Sequence, residues 1–328
     1  MSKQQGGGMA GDRFLTSKFI IPIFALILLL FVPLFAGTYT LHMLILIFLY
    51  AYLGQSWNIL GGYAGQLSLG HGTFFGLGAY TSTLLFIHMG LTPWLGIFIG
   101  ATLASLCGIF IGFLSFHFGL KSHFFALATI AFAEIFRLFA NTFQWVGGAQ
   151  GLLVPLKGND PFVFQFIGKE PFYYIALAMM VLSMGVVYLL QNSRYGFYFI
   201  AIRENEEAAK ALGINTLRYK ILATGISAFL TALGGTFYAQ YVLYIDPPGA
   251  FGVLISVEIA LRAIIGGTGT IFGPILGSFV LSPLSEIIQS VIGVGKSGVY
   301  MMVYGAILMI VCLVMPNGIF PYVKRFFK

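Results

Sequence analysis

The chain has 328 residues, of which 59% are hydrophobic, 16% aromatic and only 8% charged, and its formal net charge is +7. Soluble domains carry roughly a quarter charged residues, so this composition excludes a water-soluble globular protein and describes a polytopic membrane protein. The apolar runs are continuous and do not alternate, which excludes a β-barrel and leaves an all-α, transmembrane helical bundle.

One crossing takes about 20 helical residues, and the chain divides into ten predicted spans near 19–36, 41–60, 66–88, 94–116, 123–140, 172–190, 219–243, 252–266, 270–291 and 299–315. They form one transmembrane domain over 19–316, preceded by a tail at 1–18 and followed by a basic tail at 317–328. Lys3, Arg13 and Lys18 lead into an apolar stretch longer than a signal-peptide core, with no small-x-small site after it. The first span is therefore read as uncleaved. Ten spans put both termini on the side of Lys121, Arg194, Arg203, Lys210, Arg218 and Lys220, with Lys157, Lys169 and Lys296 on the other. Lys and Arg concentrate in cytoplasmic loops, which places both tails and the loop 192–218 in the cytoplasm and the loop 141–171 outside. Scattered in this way among the spans, the positive charge does not form a nucleic-acid surface.

The third span is crowded with Gly65, Gly70, Gly72, Gly76 and Gly78 and carries the polar residues Gln66, Ser68, His71 and Thr73. An unpaired polar group at membrane depth is costly, so these face either a partner helix or a water-filled pathway; His71 reads first as a structural hydrogen-bonder. The segment 66–88 either crosses fully or is broken or re-entrant. The same choice is open for the short segment 252–266, which runs into Gly266-Gly267-Thr268-Gly269. Cys107 and Cys312 lie within spans without His or Cys at ligand spacing, so neither a metal site nor a disulfide is expected.

Glu134 with Arg137, and Glu258 with Arg262, lie inside spans at spacings i, i+3 and i, i+4, where each pair can neutralise itself on one helix face. Charges at that depth cost roughly 2.5–3.5 kcal/mol each and face a bundle interior or a pathway. Each pair is thus either an internal brace or part of a route that would suit a zwitterionic cargo. With Gln66, Ser68 and His71 they make up the candidate translocation pathway. Between the pairs, the loop 141–171, with its glycines and prolines, is the longest non-apolar stretch.

The run Arg203-Glu204-Asn205-Glu206-Glu207-Ala208-Ala209-Lys210-Ala211-Leu212-Gly213 is a charged island between apolar stretches. Asn205 suits an N-cap, Glu206 and Glu207 the first turn, and Gly213 the C-terminal stop, which predicts two helical turns. Glu206 and Lys210 are expected to pair at i, i+4, leaving Ala208, Ala209 and Leu212 as an apolar edge to be covered. Such a segment is either a solvated interhelical loop or a helix for docking a cytoplasmic partner, small alanines allowing close approach and the charges fixing register. Further on, Gly295-Lys296-Ser297 lacks the earlier glycine of a phosphate-binding loop, Ser290 standing in its place, so no ATP site is expected here. Nor does a nucleophile-and-base constellation appear.

Glu207-Ala208-Ala209, followed by three residues and Gly213, resembles the coupling loop by which permease subunits of bacterial ABC importers engage their ATPase subunits, although the Ile-x-Leu-Pro ending frequent there is absent. The block Gly61-Gly62-Tyr63-Ala64-Gly65-Gln66-Leu67-Ser68-Leu69-Gly70-His71-Gly72, continuing to Tyr80, resembles the signature of branched-chain amino-acid importer permeases of the LivH/LivM family. So do Ala131-Phe132-Ala133-Glu134-Ile135-Phe136-Arg137, the Gly147-Gly148-Ala149-Gln150-Gly151 turn, and Gly266-Gly267-Thr268-Gly269-Thr270 with Gly273-Pro274. The resemblance runs from about residue 40 to 315, and the length and Glu-x-x-Arg block are similar to the LivM type. It implies a permease subunit of the bacterial inner membrane, not an enzyme, moving branched-chain or related amino acids. The implied partners are a second, LivH-like permease, two cytoplasmic ATPase subunits that bind the ATP, and a periplasmic or lipid-anchored binding protein meeting the outer loop. Coupling would fall to Arg203, Glu204, Asn205, Glu206, Glu207, Ala208, Ala209 and Gly213, with no cofactor or metal in this chain. Two alternatives stay open: the same machinery carrying urea, amides or aromatic acids, or a secondary transporter coupled to an ion through Glu134 or Glu258.

Overall fold

The computed structural model describes residues 26–292 and, beyond them, Met302, Gly305, Ala306, Met309, Leu313 and 318–321. The helices are α1 (Thr38–Asn58), α2 (His71–Met89), α3 (Pro93–His117), α4 (Ser122–Thr142), α5 (Glu170–Gln191), α6 (Arg194–Glu204), α7 (Glu206–Ala211), α8 (Thr216–Val242), α9 (Pro247–Phe251), α10 (Val253–Gly266) and α11 (Gly273–Ile292). Two short strands, β1 (Leu152–Leu153) and β2 (Tyr244–Ile245), complete an all-α bundle. Among the described residues, six stretches are long and apolar enough to cross a membrane: 38–63, 93–117, 122–142, 170–191, 216–242 and 247–266. The tail 1–18, the start of the first expected span, most of the last one near 299–315 with Cys312, the loop holding Lys296, and most of the tail 317–328 lie outside the described residues.

Side-chain size decides which helix takes the centre. Along α8, Ala223, Thr224, Gly225, Ser227, Ala228, Thr231, Ala232, Gly234, Gly235 and Thr236 are all buried. Lipid tails are as apolar as leucine, so helices associate in a membrane by close packing, which small residues permit. α8 accordingly sits among α1, α2 and α3. α2 runs parallel to it so closely that a Cβ on Gly78 would overlap the Ala232 carbonyl, and one on Gly235 the Phe75 carbonyl. The Thr236 hydroxyl donates to the Gly78 carbonyl at 2.9 Å across this contact. α1 runs antiparallel on the other side, Tyr52 donating to the Leu230 carbonyl at 2.7 Å. By contrast, α3 exposes Phe98, Leu103, Leu106, Phe110 and Phe113, a large-residue face suited to acyl chains.

Three expected segments change in the structure. The stretch expected to be helical from residue 66 is not: α1 closes in a widened π turn, Ile59–Tyr63, residues 64–70 are non-helical, and α2 starts only at His71. Gly65, at φ 67°, sets that path, because a left-handed backbone is strained for other residues. The segment expected over 252–266 starts earlier, since α9 and α10, separated by a break at Gly252, together make an apolar stretch of 20 residues. Its start is set by Asp246, which accepts from the Gly249 amide at 3.2 Å, and by Pro247 at the first helical position. The loop 141–171 is folded and fastened down. β1 pairs antiparallel with β2, Leu152 opposite Ile245 and Leu153 opposite Tyr244. The Trp94 indole donates to the Pro161 carbonyl at 2.8 Å and stacks on the buried Phe164 with ring centroids 4.3 Å apart.

Candidate functional site

Around the non-helical residues 64–70 lies a buried web of polar side chains. His71 Nε2 is 2.8 Å from Ser227 Oγ and its Nδ1 is 3.0 Å from Ser68 Oγ. Ser227 donates to the Ser56 carbonyl at 2.7 Å, and the Ser56 hydroxyl pairs with that of Thr231 at 2.8 Å. Trp57 donates to the Ser68 carbonyl, and the Gly72 amide donates to Ser256 Oγ, each at 2.7 Å. The web ties α1, α2, α8 and α10 together where α1 and α2 are interrupted, and each bond satisfies a group that lipid could not. Ser68 and His71 are thus buried and held by the chain's own helices. Gln66 is buried too, its Nε2 donating to the Ala64 carbonyl at 3.0 Å while its Oε1 has no hydrogen-bond partner among the described residues.

The two ionic pairs, similar in sequence, occupy unlike surroundings. Arg137 Nε donates to Glu134 at 2.8 Å, and a second guanidinium nitrogen closes a two-point contact. This pair is half exposed on α4 beside the exposed Ile135 and Leu138, turned out of the described bundle. Arg262 is sealed inside, its side chain 2% exposed and its guanidinium 3.5 Å above the Tyr50 ring centroid. It donates to the Glu258 carbonyl at 2.6 Å and reaches the Glu258 carboxylate at 3.5 Å. Removing Glu134 and Arg137 together, each to alanine, is expected to reduce folded protein in the membrane less than either single change, because a lone charge is the costly state. Membrane abundance of the three variants measures this, and a double variant that is present in full but does not transport would assign the pair to the route.

On the charged island the caps act as the residues suggest. Asn205 accepts from the Ala208 amide at 3.0 Å, α7 follows, and Gly213 turns out of it at φ 83°. Lys210 lies 3.4 Å from Glu206 and 3.1 Å from Glu207. The apolar edge divides: Ala209 is buried against the chain's own bundle, whereas Ala208 is exposed and Leu212 is 81% exposed. Glu206 also turns inward, paired with Lys220 of α8 and accepting from the Thr216 hydroxyl at 3.2 Å. Partial burial pushes the Glu206 carboxyl up, but its bonds to Lys220 and Lys210 outweigh that and hold it below the usual carboxylate range. A carboxyl lowered in this way stabilises the fold above its ordinary pKa and stops doing so only as pH falls through the lowered value, so the anchor is intact at neutral pH. Arg203, itself exposed, donates to the Gly62 carbonyl at 3.0 Å, with Glu204 beside it at 2.6 Å.

Two partners were not evident from the sequence. Lys220 opens a span and reads there as a topology signal; in the structure it anchors Glu206. Asn58 holds the turn between α10 and α11, its Oδ1 accepting from the Gly269 amide at 2.8 Å and its Nδ2 donating to the Thr270 carbonyl at 2.9 Å. The one advance sign was Gln55, Ser56 and Asn58 interrupting an apolar run. Among the described residues, no group of three or more His, Cys, Asp or Glu is placed to hold a metal ion.

The family described as branched-chain amino acid transport system, permease component, matches residues 39–312. The chain belongs to this family. The match takes in the polar web, both ionic pairs and the charged island, so in the branched-chain permease family this chain is a non-catalytic transport component. The high-affinity branched-chain amino acid transport system permease protein LivM of Escherichia coli K12 is 28% identical over 315 residues, 89% of this chain and 72% of the relative. LivM of Salmonella typhimurium is 28% identical over 84% of this chain and 68% of its own length. The autoinducer 2 import system permease protein LsrC of Yersinia pseudotuberculosis is 29% identical over a shorter stretch, 44% of this chain and 40% of the relative. No solved structure matches the chain.

Proposed function

We propose that the protein is a LivM-type permease subunit of an ATP-driven importer in a bacterial inner membrane, with branched-chain or related amino acids as its cargo. The observation that carries this reading is the form of α7 in a chain of this family. The helix is capped by Asn205, anchored to α8 through Glu206 and Lys220, and presents Glu207, Ala208 and Leu212 away from its own bundle. A part that receives force from a separate ATPase subunit needs both properties, a bare face and a firm attachment.

In this reading both termini and α7 are cytoplasmic and the chain crosses ten times, which agrees with α2 and α8 running parallel. A second, LivH-like permease covers the outward face of α4, placing Glu134 and Arg137 beside the path between the two subunits. Gln66, Ser68 and His71 brace its inner end, Glu258 and Arg262 hold α10 against α1, and two ATPase subunits bind the ATP. A binding protein meets the outer loop, where Leu153, Phe162 and Ile167 are exposed. The likeness to LsrC favours a second cargo, a small polar solute of the autoinducer 2 kind.

Affinity purification of this chain from its native membrane, with mass spectrometry and an ATPase assay, tests the assembly. An ATPase and a second permease are expected to co-purify, and Glu207→Arg is expected to release the ATPase and reduce uptake to background while the chain itself stays abundant. A chain that purifies alone and transports in liposomes without ATP would refute the importer and turn attention to Glu134 and Glu258 as ion-coupling groups.

A further inference from the structure

Arg203, next to the last residue of α6, is exposed at the edge of the coupling segment, yet one of its guanidinium nitrogens reaches the bundle. Nη1 donates at 3.0 Å to the carbonyl of Gly62, in the π turn that ends α1. The other guanidinium nitrogens, Nε and Nη2, bond Glu204 at 3.1 and 2.6 Å, so the head group faces the bundle on one side and the cytoplasmic segment on the other. Two glycines make room for it. A Cβ on Gly65 would stand 2.7 Å from Arg203 Cγ, and one on Gly269 would stand 2.6 Å from Nη1. Gly62 is itself packed on Asn58 and the Gly269 amide, and Asn58 bonds both Gly269 and Thr270. The α6 end, the α1 π turn and the α10–α11 turn therefore converge on one guanidinium. All three are breaks in helical backbone, where a change in φ and ψ is absorbed with less loss of hydrogen bonding than in a straight helix.

We propose that Arg203 is a positioning residue that passes displacement of α7 into the π turn of α1 and, through Asn58, into the Gly267–Thr270 turn. The proposal rests on the reading of α7 as the ATPase-coupling helix. Arginine suits the role because one planar fork serves a carbonyl and a carboxylate at once, which the single ammonium of lysine does less well.

The test uses the whole importer, with its second permease, ATPase subunits and binding protein, in proteoliposomes where ATP hydrolysis and solute uptake are measured together. Arg203→Gln is expected to retain bound, hydrolysing ATPase while uptake falls about tenfold, so that ATP consumed per solute rises by about the same factor, with Arg203→Lys between it and the unmodified protein. Glu207→Arg is run alongside as the docking control. Release of ATPase by Glu207→Arg, with an unchanged ATP-to-solute ratio for Arg203→Gln, overturns the relay alone. No effect of either change overturns the coupling reading beneath it. ATPase released by Arg203→Gln would place the residue on the docking surface and also overturn the relay. If Arg203→Gln does not accumulate, Arg203→Lys carries the same measurement: a raised ratio supports the relay and an unchanged one overturns it.

Discussion

Replacing Gly78 by valine is expected to remove most of the folded protein from the membrane. The added Cβ would overlap the carbonyl of Ala232, which belongs to the backbone of α8 and cannot rotate away. The helices would have to separate, breaking the Thr236 bond to the Gly78 carbonyl and loosening the His71–Ser227 contact lower on the same pair. Overpacking against side chains costs about 1–3 kcal/mol, and a clash with backbone in the middle of the bundle is expected to lie at or above the top of that range. Gly185→Val is the control, because none of the described residues lies within 4 Å of a Cβ built there. Thermal midpoints and monodispersity of the two variants in detergent make the comparison. A Gly78→Val protein as stable as Gly185→Val would mean that α2 and α8 are not packed backbone to backbone.

The second large effect concerns the ionic pairs. Glu258→Ala leaves the Arg262 guanidinium, 2% exposed, with the residue-258 backbone carbonyl and the Tyr50 ring as its remaining partners among the described residues. Breaking a buried pair by removing one partner costs about 3–5 kcal/mol, so this variant is expected to accumulate poorly. Glu134→Ala is expected to be milder, since Arg137 is 27% exposed and its long side chain can move its charge toward water or a polar neighbour. Arg262→Met together with Glu258→Gln is expected to restore much of the loss. Membrane abundance and thermal midpoints of all three decide the matter; equal damage from Glu134→Ala and Glu258→Ala would contradict the different burial of the two arginines.

The bundle and the island were legible for different reasons. Crossing a membrane is a property of composition over about 20 residues, so α1, α3, α4, α5 and α8 were visible as apolar runs, with ends displaced by a few positions. The island was legible because capping is local: Asn205 bonds an amide three residues on, and Glu206 meets Lys210 one turn away. What stayed hidden depends on contacts across the chain. His71 meets Ser227 from 156 positions away, Arg203 meets Gly62 across 141, and no spacing rule connects them. The π turn was hidden too, for Ile59 to Tyr63 is apolar enough to pass for ordinary helix. The two ionic pairs show the same limit, since i, i+3 and i, i+4 spacings predict the bonds but not which helix face meets the bundle.

Fastening the loop 141–171 by β1 and β2 bears on the far end of α8 as well. The Val154 amide donates to the Leu243 carbonyl at 2.9 Å, and Leu152 and Leu153 pair with the two residues that follow Leu243, so the loop is fixed to the very end of α8. At 27 residues, α8 is a strut about 40 Å long, and near its other end Lys220 holds Glu206 of α7. One stiff member thus has the β1–β2 fastening at one tip and the charged helix α7 at the other. A push on Leu153 and a pull on Glu207 then act on the same lever.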